Sequence, residues 1–446
     1  MATVKSRKEL REEKNKRLKE EIEKKHGKPV EQLYEEREKR VRDAIELRVP
    51  DRVPVTINTG VFAARYAGLT ASAMYYEHAA YREACKKMLL DFEPDNGAAA
   101  AVNSGLVMEL LDTKHQRWPG GTLPPDAPYQ FVEGEYMKAE EYDLFLNDPS
   151  DFVFRYYLPR IYGIMTPLSK MPPFRTLIGG TGFPAILGLF ARPEYRELAE
   201  KLNKAAQEQV KQMREGADFA EEMADLGFPM PQGVGGQGGG IFSAPFDNIS
   251  DFLRGMRGAM IDMYRYPDKV VAACEKILEW RIAQATPANP KTRGNPKRQG
   301  MPLHRGSDGF MSVAQFEKFY WPTLKKAIMV NIDLGYVAAP FWEGVWDNRL
   351  EYLLEFPKAK VIFFCEKTDI FKAKEVLGGH MCIQGGVPPT LLEVGTPQEV
   401  EEHCKKLIKV VGKGGGFILG AGSAIDYAKP ANIKAMVDSV KKYSPD

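Results

Sequence analysis

Three side chains able to move a proton or bind a metal end apolar runs in the last third of the chain. His304 closes "GMPLHRGSD", with Arg305 and Asp308 just beyond it. Glu343 stands in "APFWEGVWD", Ala339 to Asp347, which gathers two of the five tryptophans into nine residues. Cys365 and Glu366 end "AKVIFFCE". Gln384 and Ser423 end or follow two further runs. Brought together, two carboxylates, an imidazole and a thiol have two chemistries open to them. In an aromatic, poorly hydrated pocket a carboxyl keeps its proton to higher pH and acts as an acid. Alternatively, Glu343 and Glu366 with His304 or Cys365 hold Zn2+, which accepts oxygen, nitrogen and sulfur ligands. No HxxEH-type spacing favours the metal. Bland readings compete at each position. Glu343 can form a rim salt bridge, Glu366 can pair with the adjacent Lys367, and His304 can be a satisfied rim imidazole. Cys365 is then a small buried residue.

The other histidines are placed less well. His26 lies in a charged N-terminal segment, His78 and His403 in helical patterns, and His380 at a strand start. His115 falls in the polar–aromatic loop "KHQRWPGG". "GVGGQGGG" formally contains G-x-G-x-x-G at Gly233, Gly235 and Gly238. No strand precedes it and no helix opens at its last glycine, so it reads as a loop at the mouth of the fold rather than a dinucleotide turn.

The elements that must position these residues are regular. Strands are expected at 299–305, 335–342, 359–366, 380–387 and 415–422, and each is followed by a helical pattern. "RVPVTI", 52–57, is the first clear strand. Ser312 with Gln315 and Thr396 with Glu399 form capping boxes, and Pro397 suits a first helical position. Repeated strand–helix units with non-alternating strands imply a parallel sheet. A doubly wound sheet and a (β/α)8 TIM barrel both fit, and the α/β barrel is preferred for the chain's length and for want of a nucleotide-binding turn. In either, ligands sit beyond the carboxyl ends of the strands. Residues 1–45 read as a charged helical arm and 46–446 as the barrel. "KELREEKNKRLKEEIEKK" reads as solvent-facing, and the next helix carries Val30, Leu33, Val41, Ala44 and Ile45 as a face to bury.

Composition bounds the rest. The 446 residues are 44% apolar and carry a net charge of +2, from 62 basic and 60 acidic residues. That balance predicts no nucleic-acid surface, and no apolar run approaches a membrane span. Five scattered cysteines without CxxC, and an N-terminus without an apolar leader, suit the cytoplasm.

"FEKFYWPTLKKAI", "LGGHMCIQGGVPPTLLEVGTPQEVEEHCKKLI", "GGGFILGAGSAI" and "KPANIKAMVDSV" resemble the C-terminal half of the uroporphyrinogen decarboxylase superfamily, and within it the corrinoid-dependent methyltransferase branch. The resemblance implies a (β/α)8 barrel. Decarboxylases of the family carry an arginine-rich site near the start, where this chain has "INTGVFAARYAGL". Thiol-methylating members bind zinc through His-x-Cys and a late Cys, where this chain has Phe341-Trp342-Glu343 and Ser423. The remaining branch demethylates methoxylated aromatics and passes the methyl group to the cob(I)alamin of a separate, small corrinoid-binding protein. Glu343, Glu366 and His304 are then the expected catalytic groups, by proton donation or through a metal. Phe341, Trp342 and Trp346 would stack on the ring, with Asn58 and His115 as further substrate contacts. A decarboxylase-like lyase acting on a porphyrinogen or small aromatic acid is the second expectation. A homodimer is expected from the family.

Overall fold

The computed structural model describes residues 7–58, 60–98, 104–230, 239–294 and 296–444. Among the described residues, seven parallel strands define the architecture: β1 (Thr56–Asn58), β2 (Asn96–Ala98), β3 (Arg298–Leu303), β4 (Val337–Trp342), β5 (Ile362–Cys365), β6 (Cys382–Val387) and β7 (Phe417–Ala421). The last five pair in sequence order. β1 pairs with β2, and the chain just before β1 meets β7 through the Val55–Leu419 bridge. The arc therefore runs β2-β1-β7-β6-β5-β4-β3. The first strand beside the last is the order of a closing barrel; a doubly wound sheet would reverse direction in the middle. β2 and β3 are the ends of the described arc, and residues 231–238, which lie between them in the chain, fall outside the described residues. So do Gly233, Gly235 and Gly238 of the glycine-rich motif.

The strands form where expected, with ends shifted by up to four residues. Both capping boxes are present, with Thr396 Oγ1 accepting from the Glu399 amide and Ser312 Oγ from that of Gln315. Two helical expectations change in kind. "DNRLEYLLEF" holds only a six-residue 3-10 turn, Leu350–Glu355. The helix starting near Asn248 opens as a π-turn, Asn248–Leu253, and a second π-turn, Phe316–Tyr320, leads into the helix Trp321–Asp333. π-turns aim side chains off the ordinary helical rows and recur at functional sites.

The N-terminal helices are α1 (Arg7–His26) and α2 (Val30–Ile45). Among its described side chains α1 is mostly exposed, but Ile22 enters the main core, Asn15 accepts from Lys86, and Lys25 and His26 both reach Glu93. α2 is different. Val41, Ala44 and Ile45 pack in one apolar cluster with Val337, Ile362, Cys382 and Ile418. Those four lie at or next to the starts of β4, β5, β6 and β7, so α2 is the floor of the barrel. Among the described residues, no helix is long and apolar enough to cross a membrane.

If α2 is the floor, Ile45→Ala leaves a cavity beneath the strands. The expected loss is about 2–5 kcal/mol, read as a lower urea midpoint with unchanged slope. A loss below about 1 kcal/mol would show that the barrel does not rest on this helix.

Candidate active site at the strand ends

Successive side chains of a strand point to opposite faces. The register is Pro302–Phe341–Phe364–Gln384 across β3 to β6, and Leu303–Trp342–Cys365 one position on. Leu303, Trp342 and Cys365 are buried beneath the helices, whereas Pro302 is exposed and Phe341, Phe364 and Gln384 are half-buried. The second set faces the open interior. His304, Glu343 and Glu366 follow two residues after Pro302, Phe341 and Phe364, so they stand on the same inward face, one layer nearer the mouth. His304 Nε2 lies 3.7 Å from a Glu343 oxygen. Phe341 and Phe364 meet edge to face at 5.0 Å below them.

Two expected ring contacts are overturned, that of Trp342 by this alternation and that of Trp346 by its burial in the following loop. Trp342 has no exposed surface; its indole N–H donates to the Ile362 carbonyl at 3.3 Å, and its ring packs on Trp346 and Phe363. Trp346 is equally buried and donates its indole N–H to the Glu343 carbonyl at 2.9 Å. Neither can stack on a substrate. They fix the turn that carries Glu343 instead. Gly344, the next residue, has φ +83, and its amide donates to Glu366 at 2.6 Å. A side chain at Gly344 would be strained and would meet Ser307 at 2.8 Å.

His304 is held from behind by one stretch of chain. Asp251, in the π-turn, accepts from or donates to Nδ1 at 2.5 Å and pairs with the Arg305 guanidinium at 2.9 Å. Asp247, four residues earlier, accepts from the backbone amides of His304 and Arg305 at 3.0 and 3.1 Å and from the Tyr320 hydroxyl at 2.9 Å. Both aspartates are buried. Neither was singled out from the sequence. The available signal was two acids at i,i+4 in "FDNISD", flush against an apolar helix where solvated carboxylates have no reason to sit.

The electrostatics follow from this packing. Burial alone would lower the His304 pKa, but its hydrogen bond to Asp251 and the charges of Asp247, Asp251 and Glu343 outweigh it, so it ends above the ordinary value. Burial raises Glu343; His304 draws it back and Glu366 pushes it further up. Burial, then the neighbouring Asp251 charge, pushes Asp247 up to about 7. The cluster sets a carboxylate, an imidazole and a second carboxyl group in a row, an arrangement able to act as a proton relay, and its surroundings favour the protonated imidazole.

It does not fit zinc. Among the described residues no group of three His, Cys, Asp or Glu side chains is arranged to hold a metal. Cys365 is on the outward face, its thiol donating to the Thr368 carbonyl at 3.2 Å and pushed by burial up to about 12. His304 Nδ1 is occupied by Asp251, and Glu366 by Gly344. His115 is not part of this constellation. It lines a separate cavity of about 370 Å3 with Leu111, Tyr162 and Ala205, and burial lowers its pKa. Asn58 ends β1, and its side chain lies outside the described residues.

Comparison with known proteins agrees with this architecture. The family model "Uroporphyrinogen decarboxylase (URO-D)" matches residues 238–443. Uroporphyrinogen decarboxylase of Chlorobium phaeovibrioides is 40% identical over 81 residues, 17% of this chain and 22% of that protein. That of Pseudoalteromonas atlantica is 37% identical over 78 residues, 17% and 21% of the two chains. The chain thus spans about a fifth of the length of the curated relatives it matches. A solved structure, a methyltransferase from Methanosarcina mazei, superposes with a TM-score of 0.55 at 15% identity, covering 91% of this chain and 98% of that one. Residues 238–443 are thus similar to uroporphyrinogen decarboxylases, and over most of its length the chain shares the fold of the Methanosarcina mazei structure.

The role of Asp251 has a direct readout. In Asp251→Asn the imidazole loses its charged partner, so the His304 pKa falls, as followed by NMR titration of the ring protons. His304 also makes folding pH-dependent. With a raised folded pKa, its contribution is complete below the unfolded value of about 6.5 and is lost as pH rises through the folded value. Asp251→Asn narrows that window. A His304 titration unmoved by the substitution rules out the relay.

Proposed function

We propose that the protein is a methyltransferase that takes a methyl group from a methoxylated aromatic and passes it to the cob(I)alamin of a separate, small corrinoid-binding protein. The supporting observation is the His304–Glu343 pair standing one side-chain layer above Phe341 and Phe364 on the inward face. Breaking an aryl methyl ether leaves a phenolate, and the step is eased by a proton delivered to the ether oxygen. The partner's reduced corrinoid supplies the nucleophile. This chain's residues bind the ring, fix its orientation and hold the proton.

Phe341 and Phe364 offer an apolar, edge-to-face wall for an aromatic ring. Gln384, paired with Phe364 across β5 and β6, adds an amide at the same level. His304, oriented by Asp251, presents Nε2 to the space beside Glu343. Its hydrogen bond to Asp251 and the surrounding carboxylates favour the protonated imidazole. Glu343, raised by burial, shares that proton and restores it. The Glu343 side chain is 47% exposed, so a partner docked over the mouth reaches the same space. The similar Methanosarcina mazei structure, a methyltransferase, is consistent with this reading at the level of fold.

The decarboxylase reading requires cations facing the carboxylates of a porphyrinogen or aromatic acid. Arg305, the cation nearest the relay, is instead engaged by Asp251 and Ser250. That favours methyl transfer.

The test is an anaerobic assay of purified protein with free cob(I)alamin and a panel of methoxyarenes, following conversion to methylcobalamin by visible absorption. His304→Asn and Glu343→Gln should each slow the reaction by about 10²–10⁴-fold. The wild-type rate should fall as pH rises through the raised His304 pKa, and Asp251→Asn should move that fall to lower pH. Phe341→Ala should raise KM more than it lowers kcat, because it removes ring binding rather than the proton. Silence across the whole panel rejects methoxyarenes as donors; an unslowed Glu343→Gln rejects its part in the relay.

A further inference from the structure

A second charged cavity lies at the opposite end of the barrel, and the relay does not involve it. Its volume is about 250 Å3, against roughly 30 Å3 for one water in the liquid. Five cationic side chains line it, Arg37, Arg40 and Arg52 among them, against two carboxylates. Most of these charges are already matched. Arg40 pairs with Asp51 at 2.8 Å, Arg52 with Asp95 at 2.6 Å, and Lys28 with Glu36 at 2.7 Å. Glu93 takes Lys25 and His26. With Lys25, Asp51 and Asp95 counted, six Lys and Arg side chains meet four carboxylates.

The two left over are Arg37 and Lys441. Among the described residues neither has a carboxylate within ion-pair distance. Arg37 is 5% exposed. It donates to the Gly227 carbonyl at 2.5 Å and lies 4.2 Å over the Phe228 ring, with no anion of its own. A buried guanidinium is costly to keep charged unless an anion faces it. Burial opposes its charge most; Asp95 and Glu93, already paired with other cations, favour it from a distance, and Arg40 and Arg52 oppose it. Guanidinium forks match phosphate oxygens, and an excess of two positive charges suits a dianion.

We infer that this cavity binds a small dianion of the phosphate class, held between Arg37 of α2 and Lys441 of the C-terminal helix Pro430–Tyr443. The ligand would join α2, the strand-leading Arg52 and the last helix into one charged layer beneath the barrel. Inorganic phosphate and a small phosphate monoester share the required chemistry.

Both probes are tested on the full chain by thermal unfolding and by isothermal titration, against chloride at matched ionic strength. A ligand that binds only the folded state raises the midpoint, by about 3 °C at a hundredfold excess over Kd. The larger shift identifies the better source. Lys441 is exposed, so Lys441→Ala folds and should bind at least tenfold more weakly. Arg37→Met should abolish the heat of binding; if it does not fold, Lys441→Ala and the titration decide. No heat and no shift with either probe in the wild type overturns the site. So does a shift that survives unchanged in Lys441→Ala.

Discussion

The alternation of side chains across parallel strands in register governs this structure. Because Leu303, Trp342 and Cys365 are neighbours on one level, everything two residues apart along β3, β4 and β5 shares a face. One face is packed under helices and takes the large indoles. The other opens to the interior and takes Phe341, Phe364 and, nearer the mouth, the titratable groups. A one-residue slip of β4 would exchange the two sets and bury Glu343 where Trp342 now lies. The buried pair Trp342 and Trp346 resists that slip, because each indole N–H is committed to a backbone carbonyl in the native register.

The site's second support is electrostatic and works against hydrophobic logic. Asp247 and Asp251 are buried on a single turn, close enough to repel. They are tolerated because their oxygens are well occupied: two backbone amides and a tyrosine hydroxyl on Asp247, an imidazole and a guanidinium on Asp251. Removing one partner of such a set typically costs about 3–5 kcal/mol, since the charge left behind stays buried. The rigidity this brings is what a proton relay needs, because small displacements at a reacting centre are expensive. Arg349 works similarly at the next loop, donating to the carbonyls of Gly306 and Met311.

Much of this was legible in the sequence. The strands, the capping boxes and the three groups His304, Glu343 and Glu366 stand where local pattern places them, because strand ends are local features. Other parts needed more than local pattern. Trp342 and Trp346 were read as a binding wall with Phe341, although the adjacent Phe341 and Trp342 cannot share a face of β4, and Trp346 lies in the loop beyond it. Cys365 failed as a zinc ligand for the same reason. Asp247 and Asp251 reach His304 across more than fifty residues of chain. Their helical pattern gave no sign that the turn would open into a π-helix and swing both acids toward β3. The surroundings of Arg37 depend on distant segments near residues 52, 93, 227 and 441, which no single stretch encodes.

The floor helix has a consequence for how the chain is made. α2 precedes every strand it covers, and Ile45 meets Ile418 only after some 370 further residues have been synthesised. At about 5–20 residues per second that is roughly 20–75 s during which Val41, Ala44 and Ile45 lack their complete native surface. Contacts that span so much of the chain also slow folding. The density of lysine, arginine and glutamate around these apolar residues therefore has a second use. It keeps an early, uncovered segment in solution until the last strands arrive.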